Sequence, residues 1–230
     1  MFEFLLLDMD DTILDFHKAE YFAIRKTLSA FGIEPTDETC DLYSRINLSF
    51  WKALERKEVT RQELEWGRFD QLFRQLDVQA DPVACGELYY ENLSEGHYFL
   101  DGAKEALESL AKQYKVYLVT NGTSQVQARR IADAGLAPIV RGIFISQEMG
   151  ADKPDPVFFH NAFDRIPDFN PTKALIVGDS LSSDIQGGKN MGIATCWINP
   201  RGQTCPPELT PDYQIASLTQ LEDILKNAGV

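Results

Sequence analysis

The spacing of apolar and polar residues divides the chain into two patterns. Between residues 16 and 97, apolar positions recur at helical spacing, and we predict four amphipathic helices, over 17–31, 38–55, 60–76 and 81–94. The expected N-caps are Asp37, Thr60 and Asp81, because these side chains can accept hydrogen bonds from the first free N–H groups of a helix. No strand pattern interrupts the segment. Residues 16–97 are therefore predicted to form an all-helical domain.

The rest of the chain, residues 1–15 and 98–230, shows short apolar runs that alternate with helical patterns. Strands are predicted at 5–7, 115–120, 142–146, 174–179, 193–198 and 213–215. Helices are predicted over 102–112, 124–134, 155–165, 183–191 and 217–227. This alternation indicates an α/β fold, in which helices cover both faces of a parallel sheet. The helical domain is expected to be an insert after the first strand.

Composition and charge exclude several classes of partner. With 44% hydrophobic and 25% charged residues, the 230-residue chain is expected to be a folded globular protein. A net charge of −13 argues against binding to nucleic acid polymers, which normally requires a basic surface. No run approaches the roughly 18 apolar residues of a membrane span, and the stretch "MFEFLLLDMDD" becomes acidic too early for a signal peptide. We therefore expect a cytoplasmic protein that binds no membrane.

Polar residues follow the predicted strands at four places. They are Asp8, Asp10 and Thr12 in "DMDDT", Thr120 and Asn121 in "TNG", Lys153 in "GADKPDP", and Asp179 and Asp184 in "GDSLSSD". Taken singly, each cluster could be a turn or a helix cap. However, the carboxyl ends of parallel strands meet at one edge of the sheet, where open α/β sheets bind ligands. The four clusters together therefore predict one site.

The charges of these residues predict a metal ion. Asp8, Asp10, Asp179 and Asp184 would repel one another if they were left uncompensated. Mg²⁺ is a hard cation that typically binds a couple of carboxylates together with phosphate oxygens and water. Zinc is less suitable, because no histidine accompanies the acids. Lys153 would supply a further positive charge.

As a set, the four motifs resemble the haloacid dehalogenase (HAD) superfamily of phosphohydrolases. The helical insert after the first strand resembles the cap that many members carry at this position. The resemblance implies a Rossmann-like core and Mg²⁺-dependent hydrolysis of phosphomonoesters through an aspartyl-phosphate. One departure is Asp11, which stands where many members carry glycine.

The resemblance also implies the chemical roles of the first motif. Asp8 would be the nucleophile that accepts the phosphoryl group, which splits hydrolysis into two displacements. Asp10 would protonate the leaving oxygen and then deprotonate the attacking water. Its backbone carbonyl would bind Mg²⁺, and Thr12 would orient its side chain.

The other three motifs would hold the phosphate and the metal ion. By the same resemblance, the Thr120 hydroxyl and the Asn121 backbone N–H would bind phosphoryl oxygens. Lys153 would offset the charge of the nucleophile and the phosphoryl group. Asp179 would bind Mg²⁺ directly, and Asp184 directly or through water.

Other functions remain open at this point. Dehalogenases of the family use the same nucleophile but not the second aspartate, so Asp10 favours phosphate chemistry. A sugar-phosphate phosphatase or a phosphomutase would share all four motifs, and a non-catalytic binding module could keep the fold. A dinucleotide-binding protein is disfavoured, since "GGKNMG" does not match GxGxxG and lies within a predicted helix.

The helical insert carries a narrower resemblance. Its stretch "SRINLSFWKALERKEVTRQELEWGRF" is similar to pyrimidine 5′-nucleotidases, and Asn47, Trp51 and Arg68 are the candidate substrate residues. The implied substrate is a small phosphorylated metabolite, a nucleoside monophosphate. The alternative is that Phe50, Trp51 and Phe69 pack between helices and that Arg68 is a solvated helix charge.

Overall fold

A computed structural model describes residues 1–227, which form two compact units. One unit is the segment Phe16–Gly96, and the other combines Met1–Asp15 with the residues from His97 onward. The sequence predicted an insert over 16–97, whereas this division falls after residue 96. None of the helices in the described part of the chain is long and apolar enough to cross a membrane.

The smaller unit consists of four helices. They are α1 (Phe16–Ala30), α2 (Asp37–Glu55), α3 (Arg61–Leu76) and α4 (Pro82–Ser94). Thr60 and Asp81 cap α3 and α4 as predicted. The prediction that Asp37 caps α2 is wrong: the Thr36 hydroxyl accepts the hydrogen bond from Thr39 N instead. Asp37 is the first residue of the helix, where a negative charge is favourable for the helix dipole.

Aromatic rings fill the space between these helices. The ring centroids of Tyr43 and Phe69 lie 5.2 Å apart, and Tyr89 lies 5.2 Å from the first and 5.6 Å from the second. Gly67 allows α3 to approach α2, since a Cβ atom at this position would lie 2.9 Å from the Phe50 ring. Phe50 and Phe69 therefore pack between helices, which was the alternative that the sequence left open for them.

The larger unit is built on a six-stranded parallel sheet. Its strands are β1 (Phe4–Leu7), β2 (Lys115–Thr120), β3 (Gly142–Ile145), β4 (Ala174–Gly178), β5 (Ala194–Ile198) and β6 (Tyr213–Ile215). Their order is β3-β2-β1-β4-β5-β6, and all neighbouring strands are parallel. This is the Rossmann strand order: β2 and β3 are added on one side of β1, and β4, β5 and β6 are added on its other side. The predicted α/β fold with an inserted helical unit is confirmed.

Helices cover both faces of the sheet. They are α5 (Ala103–Ala111), α6 (Ser124–Asp133), α7 (Ser146–Met149), α8 (Pro156–Phe163), α9 (Gln186–Asn190) and α10 (Leu221–Asn227). Leu5 and Leu7 of β1 pack into one hydrophobic cluster, and Phe4 and Leu6 pack into another. The continuous apolar run of β1 follows from this position, because a central strand is buried on both sides.

Two predicted elements of this unit have a different form. The predicted strand 142–146 ends at Ile145, because Ser146 already begins the short helix α7. The predicted helix 183–191 starts earlier, as a π-helical turn over Leu181–Ile185 that continues into α9. The Ser180 hydroxyl caps this turn by accepting a hydrogen bond from Ser183 N. The wider turn carries Asp184.

Candidate active site

The first motif forms a tight loop at the end of β1. Asp8 N donates to Val177 O of β4, so the nucleophile candidate is fixed by the sheet itself. Asp11 has a φ of 52°, in the left-handed region, and its N–H donates to Leu14 O. Glycine enters this region without strain, and aspartate is among the residues that tolerate it. The aspartate that replaces the common glycine therefore fits the same turn.

Lys153 lies at the centre of the site. Its side chain is 1% exposed, and Nζ donates to Asp8 Oδ1 at 2.7 Å, Asp184 Oδ1 at 2.6 Å and Val119 O at 2.6 Å. Burial alone would lower the pKa of this lysine, but the carboxylates of Asp184 and Asp8 outweigh burial and raise it. Lys153 therefore stays charged, and it holds two of the predicted acids in place.

Gly178 creates the space for Asp184. A Cβ atom on this glycine would lie 2.1 Å from Asp184 Oδ2, so the carboxylate folds back against the end of β4. Ser180 N donates to the same oxygen at 3.1 Å. The neighbouring Asp179 is fixed through its backbone, because its carbonyl accepts a hydrogen bond from Trp197 Nε1 at 2.8 Å. Any larger residue at position 178 would clash with Asp184, which explains the glycine in "GDS".

Three of the predicted metal ligands meet at one point. Asp8, Asp179 and Asp184 each offer a carboxylate oxygen, and these atoms lie within 4.8 Å of one another. Burial raises the pKa of Asp8 to about 7, although Lys153 opposes the shift. Burial and the charges of Asp8 and Asp184 also raise the pKa of Asp179 well above its usual range. These hard oxygen donors can hold a metal ion, which would relieve their mutual repulsion.

Two further residues, which sequence reasoning missed, bind Asp10. Arg130 Nη1 lies 2.7 Å from Asp10 Oδ1, and Gln127 Nε2 donates to Asp10 Oδ2 at 3.0 Å. Gln127 also donates to the Thr120 hydroxyl at 2.8 Å and accepts from Arg130 Nη1 at 3.0 Å. Gly122 permits this approach, since a Cβ atom there would lie 2.6 Å from Gln127 Cγ. The only signal in the sequence was the pair of polar residues at helical spacing after "TNG".

Thr12 does not make the contact that the resemblance implied. Its side chain is buried, and its hydroxyl has no hydrogen-bond partner in residues 1–227. Asp10 is oriented by Gln127 and Arg130 instead. The role of Thr12 in orienting Asp10 stays an expectation.

Asn121 joins two of the four motifs. Its Nδ2 donates to Lys153 O at 3.0 Å, and Lys153 N donates to its Oδ1 at 2.8 Å. This reciprocal pair fixes the loop after β2 to the loop that carries the lysine. The amide side chain therefore positions Lys153.

The candidate substrate residues of the insert lie inside the helical unit. Arg68 and Asn47 are both buried, and Arg68 Nη1 donates to Asn47 Oδ1 at 2.7 Å. Arg68 is therefore not a solvated helix charge. Trp51 is partly exposed, and the guanidinium of Arg61 lies 5.7 Å from the centroid of its ring.

Comparison with known proteins agrees with this arrangement. A family model described as haloacid dehalogenase-like hydrolase matches residues 5–198. The HAD-hydrolase YfnB of Bacillus subtilis is 40% identical over 96% of this chain and 94% of its own length. Two proteins named pyrimidine 5′-nucleotidase are also similar. PynA of Streptococcus pneumoniae is 36% identical and covers 97% of this chain and 95% of its own. YjjG of Escherichia coli is 28% identical and covers 97% of both.

A solved structure extends the likeness to three dimensions. The crystal structure of YfnB bound to magnesium matches this fold with a TM-score of 0.94, over 97% of this chain and 98% of that one. The family model covers most of the chain, and the motifs that it includes form the site described above. The chain belongs to the haloacid dehalogenase-like hydrolase family.

Proposed function

We propose that the protein is a Mg²⁺-dependent phosphatase that hydrolyses pyrimidine nucleoside 5′-monophosphates through an aspartyl-phosphate. The observation that carries the proposal is the pair of carboxylates after β1. Asp8 is held by Lys153 Nζ at 2.7 Å, and Asp10, two residues later, is held separately by Arg130 and Gln127. Two carboxylates with different partners suit two different roles, a nucleophile and an acid–base group.

The reaction has two displacements. In the first, a carboxylate oxygen of Asp8 forms a bond to phosphorus, the ester bond breaks, and protonated Asp10 gives its proton to the leaving oxygen. In the second, Asp10 removes a proton from water as the water oxygen attacks phosphorus. The bond to Asp8 breaks, and inorganic phosphate and the free carboxylate are formed.

The same residues position the phosphoryl group. Lys153 offsets the negative charge of Asp8 and of the incoming phosphate. The Thr120 hydroxyl and the Asn121 backbone N–H hold phosphoryl oxygens. The hydrogen bond between Gln127 and the Thr120 hydroxyl supports this role, because it couples the phosphate-binding motif to Asp10.

The acidic cluster fits Mg²⁺. Three carboxylates and the ammonium of Lys153 leave two negative charges, and all the donors are oxygen atoms. Asp8 and Asp179 would bind the ion with the backbone carbonyl of Asp10, and Asp184 directly or through water. A bound Mg²⁺ would lower the repulsion between the cluster and the phosphate dianion. The magnesium in the YfnB crystal supports this assignment.

The helical unit is proposed to be the cap domain that selects the substrate. Asn47, Trp51 and Arg68 are the residues that we assign to nucleotide binding. The names of PynA and YjjG support pyrimidine nucleotides, since both relatives span nearly the whole chain. A partly exposed tryptophan and a buried amide–guanidinium pair suit a flat base with polar edges.

Phosphate release over a panel of substrates tests the proposal. The panel contains UMP, dUMP, dTMP, AMP, glucose 6-phosphate and p-nitrophenyl phosphate, with Mg²⁺ and with EDTA. We expect the pyrimidine nucleotides to have the highest kcat/KM. If kcat/KM for sugar phosphates is roughly tenfold or more above that for the nucleotides, the nucleotidase function is wrong and only a general phosphatase activity remains. Turnover that needs a sugar bisphosphate activator would indicate a phosphomutase, and no release from any compound would indicate a binding module.

A further inference from the structure

The peptide group that joins Asp179 to Ser180 is hydrogen-bonded at both ends. Its carbonyl oxygen accepts from Trp197 Nε1 at 2.8 Å. Its N–H, which belongs to Ser180, donates to Asp184 Oδ2 at 3.1 Å. Because a rotation of this group would break both hydrogen bonds, the backbone of Asp179 is fixed from two sides, by a side chain of β5 and by one of the π-helical turn.

Trp197 reaches this peptide group because of its register in the sheet. It is paired with Gly178, the last residue of β4, so Asp179 is the next residue along the neighbouring strand. The tryptophan is buried, and its indole N–H can act only as a donor. Since a buried donor without an acceptor is costly, the indole holds the carbonyl of Asp179 in one place.

Asp179 is the acid of the cluster that Lys153 does not hold directly. Lys153 Nζ lies 2.7 Å from Asp8 Oδ1 and 2.6 Å from Asp184 Oδ1, whereas the carboxylate of Asp179 forms no ion pair within residues 1–227. Its ionised form, which a metal ion requires, is repelled by the other two acids, because the three carboxylate oxygens lie within 4.8 Å of one another. A hydrogen bond to the backbone, rather than a salt bridge, therefore keeps Asp179 at the cluster.

We propose that Trp197 is a positioning residue of the metal site, which holds Asp179 and Asp184 in the arrangement that binds Mg²⁺. This inference rests on the proposed function, because it concerns the ion that the acidic cluster would bind, and it adds a residue outside the four motifs. Hydrogen bonds in a chain polarise one another, so the bond to the carbonyl of Asp179 also strengthens the bond from Ser180 N to Asp184. The indole thus fixes two ligands through one peptide group.

The loss of this hydrogen bond should weaken metal binding. Without the indole N–H the peptide group can turn, and repulsion then moves the carboxylate of Asp179 away from Asp8 and Asp184 in the metal-free protein. Mg²⁺ has to bring the carboxylate back, which costs about as much free energy as the lost hydrogen bond supplied. The affinity for Mg²⁺ should therefore fall roughly threefold to thirtyfold.

An isosteric amino acid removes the hydrogen bond and keeps the shape of the side chain. L-3-Benzothienylalanine carries sulfur in place of the indole N–H and can be incorporated at position 197 by suppression of a stop codon. In calorimetric titrations, the dissociation constant of Mg²⁺ should rise threefold to thirtyfold above that of the unchanged protein. The same replacement of Trp66 is the matched control, because this residue is 36% exposed on α3 of the helical unit, and it should leave the constant unchanged. An unchanged constant for the replacement at 197, or an equal rise for both replacements, would overturn the inference.

Stability measurements separate positioning from packing. If Trp197 only packs in the core, its replacement should lower the free energy of unfolding equally in EDTA and in excess Mg²⁺. If it positions the ligands, the loss should be larger in Mg²⁺, because a ligand stabilises a protein in proportion to the logarithm of its affinity. Urea denaturation under both conditions measures the two losses. Equal losses would overturn the inference.

The unchanged protein provides an arm that is independent of the folding of the variant. The chain has three tryptophans, and two of them, Trp51 and Trp66, belong to the helical unit. After labelling with ¹⁵N-tryptophan, the indole signal that remains in both Trp51→Phe and Trp66→Phe is that of Trp197. We expect this N–H to exchange slowly with deuterated solvent and its chemical shift to change as Mg²⁺ is added. Rapid exchange in the presence of Mg²⁺ would overturn the inference.

The titrations also distinguish this inference from the proposed function. If the unchanged protein binds no Mg²⁺, the proposed metal requirement and this inference are both wrong. If it binds Mg²⁺ and the replacement at 197 binds the ion equally well, only the inference is wrong. Weaker binding by that replacement alone would support both.

Discussion

Replacing Asp8 with Asn should stabilise the metal-free protein while it abolishes turnover. Burial, together with Asp184 and Asp10, raises the pKa of Asp8 to about 7, against the opposing effect of Lys153. Above this pH the carboxyl group is ionised in both states, but its ionisation costs more free energy in the folded protein than in the unfolded chain. The amide of Asn keeps the volume and carries no charge. It also removes the nucleophile, so hydrolysis should stop.

The magnitude follows from the difference between the folded and unfolded pKa values. An aspartate in an unfolded chain has a pKa of about 3.9, so the shift of Asp8 corresponds to up to about 4 kcal/mol of lost stability at pH 8. The attraction of Lys153 is already contained in this figure, because it contributes to the pKa. The loss is absent below about pH 4, grows as the pH rises from 4 to 7 and is complete above 7. The stabilisation by Asp8→Asn should follow the same course.

Urea denaturation of the wild type and of Asp8→Asn, in EDTA and at several pH values between 4.5 and 8, measures how their difference in unfolding free energy depends on pH. At pH 8 the variant should have the larger free energy of unfolding, and the difference should shrink toward pH 4.5. Saturating Mg²⁺ should reduce it, since a cation stabilises the carboxylate. Asp133→Asn is the control, because Asp133 is exposed and its ion pair with Arg129 is long, at 3.6 Å. A variant that is less stable at pH 8, or a difference that does not change with pH, would refute the reasoning.

Three further outcomes are expected. Excess EDTA should stop hydrolysis and added Mg²⁺ should restore it, as measured by phosphate release; full turnover in EDTA would contradict the metal requirement. Asp10→Asn should lower kcat for UMP by roughly a hundredfold or more, but the first step with p-nitrophenyl phosphate much less, since that leaving group needs no proton. Pre-steady-state release of nitrophenol measures the first step separately from overall turnover. Arg130→Met should also slow turnover of UMP more than this first step, but by a smaller factor than Asp10→Asn. Gly178→Ala should weaken Mg²⁺ binding in calorimetric titrations, because the new methyl group would displace Asp184; unchanged affinity would show that the carboxylate does not contribute.

The parts of the site that could be predicted from the sequence are those with a local signal. The apolar run of β1 ends directly at Asp8, and parallel strands bring their carboxyl ends to one edge. The sheet and the four motifs therefore followed from periodicity and strand ends. Charge indicated only that Lys153 would compensate the acids, and the resemblance implied its pairing with Asp8; its contact with Asp184 was not predicted.

Sequence analysis missed Gln127 and Arg130, because their role depends on which face of α6 is turned toward the sheet. Gln127 and Arg130 lie on α6 between the buried residues Val126 and Ile131, a stripe that faces the sheet. The four motifs were recognised because they follow predicted strands, whereas these two residues lie within a helix. Their contact with Asp10 is therefore seen only in the structure. The sequence analysis considered only Thr12 as a residue that orients Asp10. In the structure, Gln127 of α6 donates to Asp10 Oδ2, and Arg130 Nη1 lies 2.7 Å from Asp10 Oδ1.

The two buried arginines, Arg130 and Arg68, have different partners. Arg130 Nη1 lies 2.7 Å from Asp10 Oδ1, so Arg130 is paired directly with a carboxylate. Arg68 reaches the carboxylate of Glu20 only through Asn47, which leaves two N–H groups without a partner in the described chain. Under the proposed function, in which Arg68 binds the nucleotide and Asp10 is the acid–base group, substitutions at Arg68 should change which substrate is hydrolysed, and substitutions at Arg130 should change how fast it is hydrolysed.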